Sequence, residues 1–121
     1  DSYVKYGRQR FLTAPLMKWM FGKYVSDPAQ RGNDLMSPVR ASAERLRGLP
    51  PTLIAVAEND ILRDEGEAMG RRLDEAGVEV TTVRFNGVVH DWGMLNGFAA
   101  LHPTRTLIRL VGSVLRDYLE K

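Results

Sequence analysis

Cysteine is absent from the 121 residues, which excludes disulfide scaffolds, thiol nucleophiles and zinc sites built on thiolates. That absence fits a reducing compartment, and with no signal-peptide pattern at the start a cytoplasmic location is the expectation. No apolar run approaches the ~20 residues needed to cross a bilayer, so no membrane span is expected. An excess of one charge is also missing. The 17 Lys and Arg stand against 15 Asp and Glu, a net charge of +2, too little to point to nucleic acid. The early basic residues Lys5, Arg8, Arg10, Lys18 and Lys23 are opposed only by Asp1 and read as a solvated face. An initiator Met is missing too, so the chain is expected to begin inside a longer protein.

What is present is an ordinary globular composition, 44% hydrophobic and 26% charged, of a length that suits one domain. Residues 1–12 read as irregular. Thr13 is a candidate N-cap with Pro15 in the first turn, opening a helix crowded with Leu16, Met17, Trp19, Met20, Phe21 and Tyr24. Apolar residues on more than one stripe imply two buried faces, or one buried face and one turned to a ligand or partner. A turn-rich break follows at 26–33, then a connector with a short helical piece near 41–47, ended by Gly48 and Pro50-Pro51.

Thr52 to Glu58 is a compact apolar run without alternation, as in a parallel strand covered on both faces. Asp64 and Glu67 suggest a capping box, and Gly77 closes the helix they begin. Met69, Leu73 and Ala76 form that helix's inward stripe. Val78 to Phe85 reads as a second strand, followed by a connection with Gly87 and His90. Pro103 or Thr104 starts a last helix, with Leu107, Leu110, Val111, Val114, Leu115 and Tyr118 at helical spacing. Strand, helix, strand, helix is a β-α-β unit with parallel strands. Two strands make a marginal sheet, so the sequence reads as the edge of a larger α/β sheet.

Asp60 and His90 follow the two strands, at the carboxyl ends where open α/β sheets collect ligands. Taken singly, Asp60 reads first as a turn residue capping nearby N–H groups, and His90 beside Trp92 as a hydrogen-bonded core histidine. Their pairing lifts both. Imidazole shuttles protons near neutral pH, and a carboxylate on its far nitrogen fixes its tautomer and orientation. Asp64 is explained by a cap, and His102, before Pro103 at a helix start, also reads as a cap.

The run from Leu49 through Asp60 and Arg63-Asp64-Glu65-Gly66, on to His90-Asp91-Trp92-Gly93-Met94-Leu95-Asn96, resembles the C-terminal part of the hormone-sensitive-lipase-like α/β-hydrolases, the bacterial carboxylesterases and lipases. In that family Asp-Pro-Leu-Arg-Asp-Glu-Gly carries the triad acid, and His-Asp-Phe or His-Gly-Phe the base. Asp60 matches the acid and His90 the base, at a similar spacing. Thr13 with Met17, Trp19 and Tyr24 resembles the cap-associated helix, and Ser37-Pro38 with Leu49-Pro50-Pro51 the approach to the acid-bearing strand. Ile61 replaces the family's Pro, and Trp92 its Phe.

The larger departure is an absence. Ser2, Ser26, Ser37, Ser42 and Ser113 are the serines of the chain, and none stands in Gly-x-Ser-x-Gly; no His-Gly-Gly-Gly stretch occurs either. The resemblance therefore implies the C-terminal third of an α/β-hydrolase, with residues 1–51 as cap-associated helix and connector and 52–121 as the β-α-β-α core part. It implies hydrolysis of small-molecule carboxylic esters without metal or organic cofactor, Asp60 and His90 acting with a serine from a missing N-terminal part, and an inactive isolated chain. Leu16, Met17, Met20 and Trp92 are the candidate substrate-binding residues. The alternative expectation is a non-catalytic association module, a homo-oligomer formed through an exposed strand edge.

Overall fold

A computed structural model describes residues 1–8 and 10–120. Strand β1 (Thr52–Asn59) and strand β2 (Val80–Val89) pair in parallel, with Thr52 opposite Val80 and Ala57 opposite Phe85. Both strands run further than the sequence suggests. β2 does not stop at Phe85 but continues through Gly87 to Val89, because a bulge absorbs the glycine.

The expected helix between the strands is α4 (Arg63–Glu75), numbered after three earlier helices, α1 (Ser2–Tyr6), α2 (Ala14–Tyr24) and α3 (Ala43–Leu46); α5 (His102–Leu119) closes the chain. α4 ends as predicted. Gly77 adopts φ +79, the left-handed region that glycine enters without steric cost. The Val78 N–H then returns to the Leu73 carbonyl at 3.0 Å.

The sheet lies between two helical layers. Ile54 and Val80 face α4 and pack with the buried Leu73, Ala76 and Val78. On the other face Ala57, Phe85, Val88 and Trp92 form a second cluster, against which Leu107 and Leu110 of α5 pack. Alternation of Cβ direction along a strand makes both faces apolar, hence the continuous run. Val56 and Ala57 are buried, and Thr52–Ala55 are half-buried. Among the described residues the sheet has only these two strands, so each has one unpaired edge.

Three expectations are corrected. Residues 2–6 are helical rather than irregular, because Tyr6 and Leu12 pack on Ile61 and hold the segment in place. α2 keeps Thr13 as its cap but buries no residue fully; Met17 and Phe21 are half-buried, while Leu16, Trp19, Met20 and Tyr24 are exposed. Asp64 caps nothing. α4 starts at Arg63 behind Leu62, and the Asp64 carboxylate accepts the Ser2 N–H at 2.7 Å.

Candidate active site

β1 delivers Asp60 to a tight turn before α4. One carboxylate oxygen, Oδ1, accepts the Leu62 N–H at 2.9 Å, the local turn bond that an aspartate two residues upstream can make. The other, Oδ2, lies 2.8 Å from His90 Nδ1. The turn bond and the histidine contact therefore coexist, each on its own oxygen. The turn is anchored from outside. Ser2 Oγ donates to the Ile61 carbonyl at 2.6 Å, and Ile61 is wholly buried. Arg63 Nη1 donates to the Glu58 carbonyl at 3.2 Å, and its guanidinium sits 5.3 Å from the Tyr6 ring centroid.

The Asp64 carboxylate is held well below the usual carboxylate range. The Ser2 N–H is the largest cause, and hydrogen bonds from Arg63 Nε and Nη2 at 2.9 and 2.8 Å add to it, against the opposing effect of burial. This network ties α1 to the turn that presents Asp60.

β2 delivers His90. Asp60 is 8% exposed and the His90 side chain 26%, so the pair is sheltered but reachable. A carboxylate without a proton only accepts, so with Asp60 in that form the bond takes its hydrogen from His90 Nδ1, and a ring with no second hydrogen carries its lone pair on Nε2. Nε2 faces Asp91 Oδ1 at 3.3 Å, a contact that becomes an ion pair only when the ring is protonated. Asp91 has φ 60, the one non-glycine among the described residues in the left-handed region, a conformation aspartate tolerates better than most. It turns the chain away from β2, and Met94 and Leu95 N–H groups bond its carbonyl.

Trp92 drops into the core behind the histidine. Its ring lies 5.4 Å from Phe85 at a 43° tilt, and Thr104 Oγ1 donates to its carbonyl at 3.4 Å. Its indole N–H is buried with no acceptor among the described residues.

A cavity of about 980 Å³ opens in front of Asp60 and His90. Met17 and Trp92, two of the four candidate binding residues, border it; Leu16 and Met20 do not, and stand exposed on α2. Phe21, on the helix expected to face a ligand but not among those four, lines it too, as do Met36 and Val39, which sequence reasoning missed. Phe21 follows Met17 by one helical turn, a signal that was available. Residues 36–39, which run into the short 3-10 helix Pro38–Arg40 of the connector, gave none. His102 does not reach the site; it opens α5 without capping it. Among the described residues no cluster of three His, Asp or Glu could hold a metal ion, and no helix is long and apolar enough to cross a membrane.

Residues 1–94 match the family model described as alpha/beta hydrolase fold. The chain belongs to this family. A solved structure of a thermostable esterase from Pseudomonas putida is 45% identical with a TM-score of 0.95, covering 98% of this chain and 37% of that one. An ethyl acetate hydrolase from Pseudomonas putida is 35% identical over 91 residues, 75% of this chain and 28% of the relative. An arylesterase from Saccharolobus solfataricus is 36% identical over 94 residues, 78% of this chain and 28% of the relative. This α/β-hydrolase chain thus spans about a third of the length of the curated relatives it matches. The expected fold is found: two parallel strands flanked by helices, corresponding to part of an α/β-hydrolase.

Proposed function

We propose that the chain supplies the acid and base of a serine carboxylic ester hydrolase, Asp60 and His90. The observation that carries this is the 2.8 Å bond between Asp60 Oδ2 and His90 Nδ1, at the carboxyl ends of two parallel strands and on the rim of a largely apolar cavity. Similarity to an arylesterase and an ethyl acetate hydrolase supports short carboxylic esters as substrates.

The nucleophile is a serine outside these residues. Ser2, Ser37 and Ser42 are engaged with the Ile61 carbonyl, the Arg31 carbonyl and the Arg45 N–H, and none of the chain's serines has flanking glycines at the spacing an elbow needs. As the serine oxygen bonds to the ester carbonyl carbon, His90 Nε2 takes the hydroxyl proton. Asp60 holds the ring and offsets the charge of the imidazolium. The tetrahedral species collapses, the carbon–oxygen bond of the ester breaks, and the alcohol leaves with the proton from Nε2. Water then repeats the sequence on the acyl-serine and releases the carboxylic acid. Met17, Phe21 and Trp92 border the space the ester would enter.

Two features support a chain that works as one part of a larger sheet: the unpaired edge of β1, and the buried Trp92 N–H, which an acceptor from a neighbouring segment would satisfy.

The test is a chimera in which residues 1–121 replace the matching part of the Pseudomonas putida esterase. It is expected to hydrolyse 4-nitrophenyl acetate and to lose a factor of about 10⁴ or more in kcat with His90→Ala. Turnover unaffected by His90→Ala overturns the reading.

A further inference from the structure

We propose that Glu58 is a positioning residue for His90, acting through the bulge in β2. The inference rests on the reading of His90 as the base and deepens it. Between the pairs Ala57–Phe85 and Asn59–Val89, β2 spends Asn86, Gly87 and Val88 where β1 spends only Glu58. Such a bulge re-aims every side chain beyond it, and His90 is the first residue after the strand.

The bulge is specified chemically. Gly87 sits at φ +75, a conformation costly for residues with a Cβ. Its N–H is donated to Glu58 Oε2 at 2.7 Å, a charge-assisted bond, roughly twice as strong as a neutral one. Glu58 is held at its other end as well, because its carbonyl accepts from Arg63 Nη1 in the turn that presents Asp60. One β1 residue is therefore fastened by its main chain to the loop of the acid and by its side chain to the loop of the base. The 2.8 Å separation of Asp60 and His90 depends on both fastenings; a relaxation of about 1 Å at either loop takes such a pair out of hydrogen-bond range.

The test reads the ring nitrogens of His90 by nitrogen-15 NMR in the 121-residue chain at about pH 9, above the ordinary imidazole range. Exposed His102 serves as internal reference. In the unaltered chain the hydrogen is expected on Nδ1. Glu58→Ala is expected to shift the ring towards the Nε2–H tautomer and to speed solvent exchange of the Gly87 amide about tenfold. Glu58→Gln, which keeps an oxygen acceptor, is expected to restore both. If Glu58→Ala does not fold, Glu58→Asp, whose carboxylate is one methylene shorter, is expected to give the same shift. A folded Glu58→Ala or Glu58→Asp chain with an unchanged ring and unchanged Gly87 exchange overturns the proposal and leaves the Asp60–His90 reading standing. An Nε2–H tautomer in the unaltered chain overturns both.

Discussion

Asp60 Oδ2 and His90 Nδ1 lie 2.8 Å apart although 30 positions of chain separate them. Parallel pairing explains the meeting: both strands end on the same side of the sheet, and each hands its next residues to one rim. The bond fixes the ring, whose other nitrogen, Nε2, then lies 3.3 Å from Asp91 Oδ1.

The chain by itself is expected to be inert. Without a flanked serine, 4-nitrophenyl acetate mixed with the purified 121-residue chain should show no burst and no turnover above a His90→Ala control. Loss of the nucleophile alone costs about six orders of magnitude in a comparable triad. Clear turnover that disappears with His90→Ala would place the nucleophile within this chain.

Acid is expected to loosen the tie between α1 and the Asp60 turn. The Asp64 carboxyl is held below its ordinary range when folded, so its contribution is present above the unfolded value of about 3.9 and fades as pH falls through the folded one. Asp64→Asn should lower stability at neutral pH by about 1 kcal/mol, below the ~1.5–3 kcal/mol of a hydrogen bond to a buried charge because solvent screens this partly exposed carboxylate, and the gap should narrow in acid. Urea midpoints from pH 7 to 3 measure this; parallel curves contradict it.

Two glycines are expected to respond in opposite directions to alanine. At Gly66 a Cβ would meet Val56 Cγ1 at 2.6 Å, in the seam between α4 and β1, whereas at Gly112 in α5 it would meet nothing within 4 Å. Gly66→Ala should destabilise by about 1–3 kcal/mol through overpacking. Gly112→Ala should stabilise by about 0.5–1 kcal/mol through helix propensity. Thermal unfolding of both variants reads the signs.

The isolated chain is also expected to self-associate, because β1 and β2 each leave one edge unpaired and such edges recruit further strands. Light scattering after size exclusion should show a mass that rises with concentration. A monomer at every concentration would mean that these edges are protected.

Much of this architecture was legible because the signals were local. The unbroken run of β1 has helices on both faces to satisfy, Gly77 stops α4, and Asp60 and His90 follow the strands in the family's order. What escaped depends on contacts distant in sequence. α1 is too short to announce itself and is held by Tyr6 against Ile61 and Arg63. Asp64 looked like a cap because its true partner, the Ser2 N–H, lies 62 positions away. Asn86-Gly87 looked like the end of a strand, since only the Glu58 carboxylate on the neighbouring strand makes a bulge of it. On α2, apolar crowding does not distinguish Met17 and Phe21, which face the cavity, from Leu16 and Met20, which do not.

The central claim is that Asp60 and His90 act as one unit, and a double-mutant cycle tests it most directly. In the chimera with the Pseudomonas putida esterase, kcat for 4-nitrophenyl acetate is measured for Asp60→Asn, His90→Ala and the pair together. Groups that act as a unit are strongly non-additive, so the double variant should be about as slow as His90→Ala alone. Losses that multiply, the double variant slower by the product of the two single effects, would contradict it.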